Sequence, residues 1–193
     1  MMGRNYLHTE YFPNMKDRII RANARYSARV DAFLNELAES GDERLNRKPA
    51  NGGWSAIQVV HHLILVEVNS LAYVRKKLSF NPELKRSGLG ASLRMLLLRL
   101  SLLSPIKFKA PKSAGNESIP DEATLESSRQ AWAGIRADWS DFFAQMPADL
   151  ADKAAYRHPR AGRLDWLQMI EFLQAHFERH RRQALKAANL AQA

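Results

Sequence analysis

At 193 residues the chain has the length of one domain with embellishments, since a domain averages roughly 150 residues, and a single domain spanning 1–193 is expected. Lys and Arg total 29 against 20 Asp and Glu, a formal net charge of +9, and 46% of residues are hydrophobic with only 9 Gly and 8 Pro; this excludes intrinsic disorder and collagen-like repeats. There is no cysteine, so disulfide frameworks, thiolate-bound metals and thiol nucleophiles are excluded, and any metal must be held by His and carboxylates. The opening MMGRNYLHTEYFPNMKDR has no apolar signal-like core, and a cytoplasmic location is the expectation.

From Met15 to Glu39, Ile19, Ala22, Tyr26, Val30, Phe33 and Leu37 recur at steps of three and four, which predicts an amphipathic helix ended by Ser40-Gly41. A polar loop follows from Arg44 to Gly53. Ser55 with Gln58 then fits a capping box, with Trp54 placed as a hydrophobic staple on Val59. The apolar run IQVVHHLILVEVNSLAYVRKKL reads as a second helix to about Leu78, because more than 20 residues without Gly or Pro are too long for a strand. Residues 79–119 form a long connection containing LGASLRMLLLRLSLL, Leu89 to Leu103. That segment is shorter than the roughly 20 apolar residues of a membrane span, and Arg94 and Arg99 interrupt it. Packing against the bundle or sharing across a twofold interface is expected for it ahead of contact with lipid, so no membrane partner is expected.

A third long helix after Pro120 carries Leu125, Ser128, Trp132, Ile135, Trp139, Phe142 and Phe143 on its apolar face. Met146 to Arg163, with Pro147, Pro159 and Gly162, reads as loop. Asp165 and Gln168 repeat the capping pattern and open a last helix to about Asn189. The fold class is therefore all-α, a four-helix bundle whose long crossover carries an extra hydrophobic helical segment.

Six histidines occur, at positions 8, 61, 62, 158, 176 and 180. His176 and His180 stand one above the other on a helix face with Met169, Leu173 and Ala184, the spacing by which a helix offers two imidazoles to one metal ion. Hydrogen-bonded histidines would satisfy the same pattern. The second apolar helix offers a third imidazole, and either His61 or His62 can face inward, because that helix is apolar almost all round. His62 lies about 10 Å past its helix start and His180 about 14 Å before its helix end. An antiparallel pairing of the two helices levels the three rings, whereas a parallel pairing offsets them by roughly 12 Å. The long crossover permits the up-down-down-up order this requires.

WSAIQVVHHL, Trp54 to Leu63, and HPRAGRLDWLQMIEFLQAHFERHRRQ, His158 to Gln183, together resemble the DinB-like superfamily of four-helix metalloproteins over nearly the whole chain. Pro105 to Pro111, PIKFKAP, looks like the crossover of one subgroup. The resemblance implies a metal held by His62, His176 and His180, with His61 at a variable position and His158 not a ligand. It favours a homodimer. It also implies functions that include thiol-dependent transfer or isomerisation and metal-dependent hydrolysis.

Three neutral imidazoles suit a divalent metal ion, zinc or nickel, with an open coordination position. The reading is a metal-dependent enzyme acting on a small-molecule substrate, by hydrolysis or by transfer of a low-molecular-weight thiol; the alternative is a non-catalytic metal-binding or stress-associated protein. Glu67 lies about 140° around its helix from His62 and reads as an interhelical or surface carboxylate, and Glu171 and Glu178 as partners for Arg or as acceptors behind the histidines. Asn69 and Tyr73 share the His62 face and can bound a substrate pocket. No general base is evident. Despite the charge of +9, nucleic acid is not an expected partner, because no zinc-finger, RNA-recognition or homeodomain signature is present.

Overall fold

A computed structural model describes residues 14–104 and 119–190; His8 and the Pro105–Pro111 segment lie outside the described residues. Four long helices, α1 (Met15–Ala38), α3 (Ala56–Ser79), α5 (Leu125–Gln145) and α6 (Trp166–Leu190), form the bundle. A one-turn helix α2 (Asp42–Asn46) and the crossover helix α4 (Leu89–Leu103) complete the helical elements. The caps are those the sequence announces. Ser55 and Gln58 satisfy each other's backbone N–H at the start of α3, and Asp165 and Gln168 do the same at the start of α6.

The contacts fix the direction of each helix. Lys16 reaches the carbonyl of Ala144, and Asn23 reaches Ser140, so α1 and α5 are antiparallel. Gln58 meets Asp121, His61 meets Ser128 and Arg75 meets Asp138, so α3 and α5 are parallel. His62 lies beside His180, while Tyr73 packs on Tyr156, which stacks on Phe172, so α3 and α6 are antiparallel. Tyr26 and Glu36 of α1 meet Phe177 and Arg181 of α6, so α1 and α6 are parallel. The order is up-down-down-up.

The core between these helices is aromatic, with Tyr26, Phe33, Trp132 and Phe177 in successive edge-to-face contacts at 5.5–6.4 Å. One polar network penetrates it. The Glu67 carboxylate, 1% exposed, accepts hydrogen bonds from Tyr26 Oη (2.9 Å), Trp132 Nε1 (2.8 Å) and Arg136 Nη1 (2.7 Å). Arg136 in turn donates to Ser27 and Asn23, and its guanidinium lies 4.5 Å from the centre of the Tyr26 ring. Glu67 is thus the interhelical carboxylate its position suggests.

Two features differ from the sequence reading. The 146–163 connection contains a 3₁₀ turn (Ala148–Leu150) and an antiparallel hairpin, β1 (Tyr156–His158) with β2 (Gly162–Leu164). Strands of three residues are too short to show an alternation, and the hairpin is fixed by tertiary contacts instead: Gly162 at φ 74° turns the chain, and Arg94 of α4 donates to the carbonyl of Ala161 at 2.8 Å. Secondly, the bundle covers only one side of α4. Ala91, Met95 and Leu98 are buried, but Leu89, Leu93, Leu96, Leu97 and Leu100 remain exposed.

Removing one partner of the buried ion pair strands the other charge in the core. Arg136→Met is expected to destabilise the fold by about 3–5 kcal/mol in urea denaturation. The double variant Glu67→Gln/Arg136→Met keeps an amide oxygen for Tyr26 and Trp132 while removing both charges, and it is expected to recover much of that loss.

Candidate metal centre

His62 occupies the second turn of α3, and His176 and His180 occupy successive turns of α6, which runs antiparallel beside it. The three rings converge, with centroids 5.2 Å (His62 to His176), 4.7 Å (His62 to His180) and 4.4 Å (His176 to His180) apart. One ring nitrogen from each lies within 4.8 Å of the other two. A tetrahedral zinc ion with nitrogen at about 2.0–2.1 Å holds its ligands roughly 3.3 Å apart, a contraction within reach of side-chain rotation.

Polar satisfaction supports the fit. His62 is 3% exposed, and its Nδ1 is buried with no hydrogen-bond partner, an arrangement that costs free energy unless a ligand completes it. His180 Nδ1 lies 2.9 Å from Gln183 Oε1; an amide oxygen only accepts, so Nδ1 carries the proton and Nε2 presents its lone pair. Trp54 packs on the His62 ring at 4.9 Å and Phe172 on His176 at 5.7 Å, bracing both.

The electrostatics keep all three rings neutral, as metal ligation requires. Burial lowers His62 from the ordinary 6.5 to about 4. His176 is pushed well down by burial and then by His180, His62, His158 and Arg179. Burial, then His62 and Arg179, take His180 to about 3, opposed by the hydrogen bond to Gln183. No carboxylate contributes to these shifts among the described residues.

His61 points elsewhere. Its Nε2 lies 3.1 Å from Ser128 Oγ, and because that hydroxyl donates to the Thr124 carbonyl, His61 is the donor. Glu171 pairs with Arg99 and Glu178 with Arg181, and neither belongs to the histidine cluster. Asn69 and Tyr73 are exposed on α3, and Tyr73 packs on Tyr156. Beyond the ligands, the structure adds a wall that spacing did not reveal. Tyr156 and His158 of β1 both pack on Phe172, at 6.2 and 4.4 Å, and so extend the site from His176 towards Tyr73. His158 Nδ1 accepts the backbone N–H groups of Arg160 and Ala161, leaving Nε2 as the protonated, donating nitrogen. A His-Pro pair in a segment read as loop gave no hint of this.

An up-down-down-up bundle with three imidazoles converging from two antiparallel helices defines a helical protein with a site able to bind a metal ion. Residues 24–184 match the model of the DinB superfamily, and the chain belongs to that superfamily. Neither the curated proteins nor the solved structures contain a significant match.

Two measurements check the centre. Zinc or nickel bound stoichiometrically to the wild type is expected to be lost from His62→Ala, His176→Ala and His180→Ala and retained by His61→Ala; metal retained unchanged in His176→Ala contradicts the assignment. In the metal-free protein, His62 and His158 near 4 and His180 near 3 lie below their unfolded value of about 6.5, so the unfolded chain binds more protons between these limits. Their contribution is fully present above about pH 6.5 and is lost as pH falls towards 4. The urea midpoint of the apo-protein is expected to drop steadily between pH 7 and pH 5.

Proposed function

We propose that the chain is a metal-dependent enzyme that acts on a small molecule, using zinc or nickel held by His62, His176 and His180. The carrying observation is the asymmetry of the site. His62 is buried, whereas His176 and His180 are half-buried, so the ligands back onto the core and open towards solvent. Three ligands from two helices leave the remaining side for an exogenous group.

A divalent ion held by His62, His176 and His180 would supply Lewis acidity and would lower the pKa of a water or thiol bound to it. The protein's own residues do the rest. His62 is fixed by Trp54 and by its depth in α3. Gln183 holds the His180 tautomer. Phe172, Tyr156 and Tyr73 offer an apolar wall, and His158 holds a proton on Nε2 at its edge, available as a hydrogen-bond donor. With no carboxylate among the groups that perturb the three rings, the centre keeps its positive charge, which favours an anionic nucleophile such as a thiolate. The same lack of a carboxylate among the groups perturbing the rings supports a second reading, a non-catalytic metal-binding protein.

A screen of metal-loaded protein tests these readings against one another, offering esters and amides alone and electrophiles with several biological thiols, with His62→Ala as control. Turnover that disappears in His62→Ala and needs a thiol is the expected result. Turnover without thiol selects hydrolysis, and none across the panel selects the binding reading.

A further inference from the structure

Helix α4 is apolar on two opposite sides. Ala91, Met95 and Leu98 pack on α6, and α4 is tied down by Arg99 to Glu171, by Gln168 to Ser92 and by Arg179 to the carbonyls of Leu102 and Ser104. On the far side Leu89, Leu93, Leu96, Leu97 and Leu100 are 50–92% exposed. At 100° per residue they fall within about 100° of arc, one continuous leucine stripe. Soluble monomers rarely leave such a contiguous apolar patch in water.

The rim of the stripe carries arginines. Arg94 and Arg99 stand on its two borders, Arg99 paired with Glu171, and Arg94 reaches the turn of the β1–β2 hairpin, its guanidinium 3.6–3.9 Å from where a Cβ on Gly162 would lie. The hairpin, YRHPRAGRL, contains Arg157, Arg160 and Arg163 and no acidic residue. Arg157 and Arg163 are exposed and directly opposite each other in the register. Like charges in that position repel and destabilise a two-stranded ribbon, and an anion lying across them removes the repulsion. Along the sequence, residues 79–119 hold Lys85, Arg86, Arg94, Arg99, Lys107, Lys109 and Lys112 against only Glu83 and Glu117.

Charge decides what covers the stripe. A second copy docking through α4 would bring two Arg94 borders and two arginine-bearing hairpins together, and a nucleic acid has no use for five leucines. An anionic bilayer answers both halves of the surface, the acyl boundary for the leucines and phosphates for the arginines. We propose that α4 and the β1–β2 hairpin form a peripheral membrane-binding surface for anionic phospholipid, with α4 lying in the plane of the interface.

Flotation of the full-length, metal-loaded protein tests this with two vesicle types, phosphatidylcholine alone and an equal mixture with phosphatidylglycerol. Flotation with the mixed vesicles only is expected, weakening as salt is raised. Leu93→Glu/Leu97→Glu and, independently, Arg157→Glu/Arg163→Glu are each expected to lower the partition coefficient by at least about tenfold. Both pairs are exposed, so helical content should be unchanged; if the leucine variant misfolds, the arginine variant and the salt dependence still decide the matter. No flotation with mixed vesicles overturns the proposal, as does flotation indifferent to the arginine variant. Light scattering that shows a dimer dissociated by Leu93→Glu/Leu97→Glu, without vesicle binding, assigns the stripe to a second copy instead.

Discussion

The buried carboxylate of Glu67 governs how α3 sits in the bundle. It can lie in the core only where its lone pairs meet donors, and those donors come from two other helices: Tyr26 of α1, and Trp132 and Arg136 of α5. Any rotation of α3 about its axis would break this set. Because His62 precedes Glu67 by five residues, it projects about 140° away around the helix. With Glu67 held towards α1 and α5, His62 is turned towards α6. The network remote from the metal centre thereby sets the direction in which the deepest ligand points.

Topology then does what rotation alone cannot. His62 lies early in α3, and the α6 histidines straddle the midpoint of their helix; the rings reach one level with the two helices running in opposite directions. The long crossover makes that possible by bringing α5 back parallel to α3 before α6 returns. Arg179, between the two α6 ligands, hydrogen-bonds the C-terminal carbonyls of α4. The crossover helix is in this way joined to the helix that carries two of the three imidazoles.

The long helices and their caps were legible because each signal is local: Ser55 with Gln58, Asp165 with Gln168, and apolar residues at steps of three and four. The HxxxH pair was equally visible. Sequence spacing left the choice between His61 and His62 open, since α3 is apolar on nearly every side; the family resemblance indicated His62, and the position of Ser128 and the Glu67 network show why His61 turns away. The β1–β2 hairpin was not legible. Its strands are three residues long, and its turn is held by Arg94, 67 residues away from Ala161. Nor did spacing show that α4 would be covered on one side only, since a helix apolar on opposite sides reads the same whether one or both are buried.

The site is a cluster of neutral imidazoles in a partly desolvated shell, able to hold a divalent cation. Burial keeps its imidazoles unprotonated, Gln183 fixes the tautomer of His180, and no carboxylate among the groups perturbing the rings offsets the charge of an ion placed among them. X-ray absorption spectroscopy of the zinc- or nickel-loaded protein counts imidazoles directly. Three histidine nitrogens per metal in the wild type, falling to two in any His62→Ala protein that still retains metal, is the predicted result. A shell built from oxygen donors, or one whose imidazole count is unchanged without His62, would contradict the account.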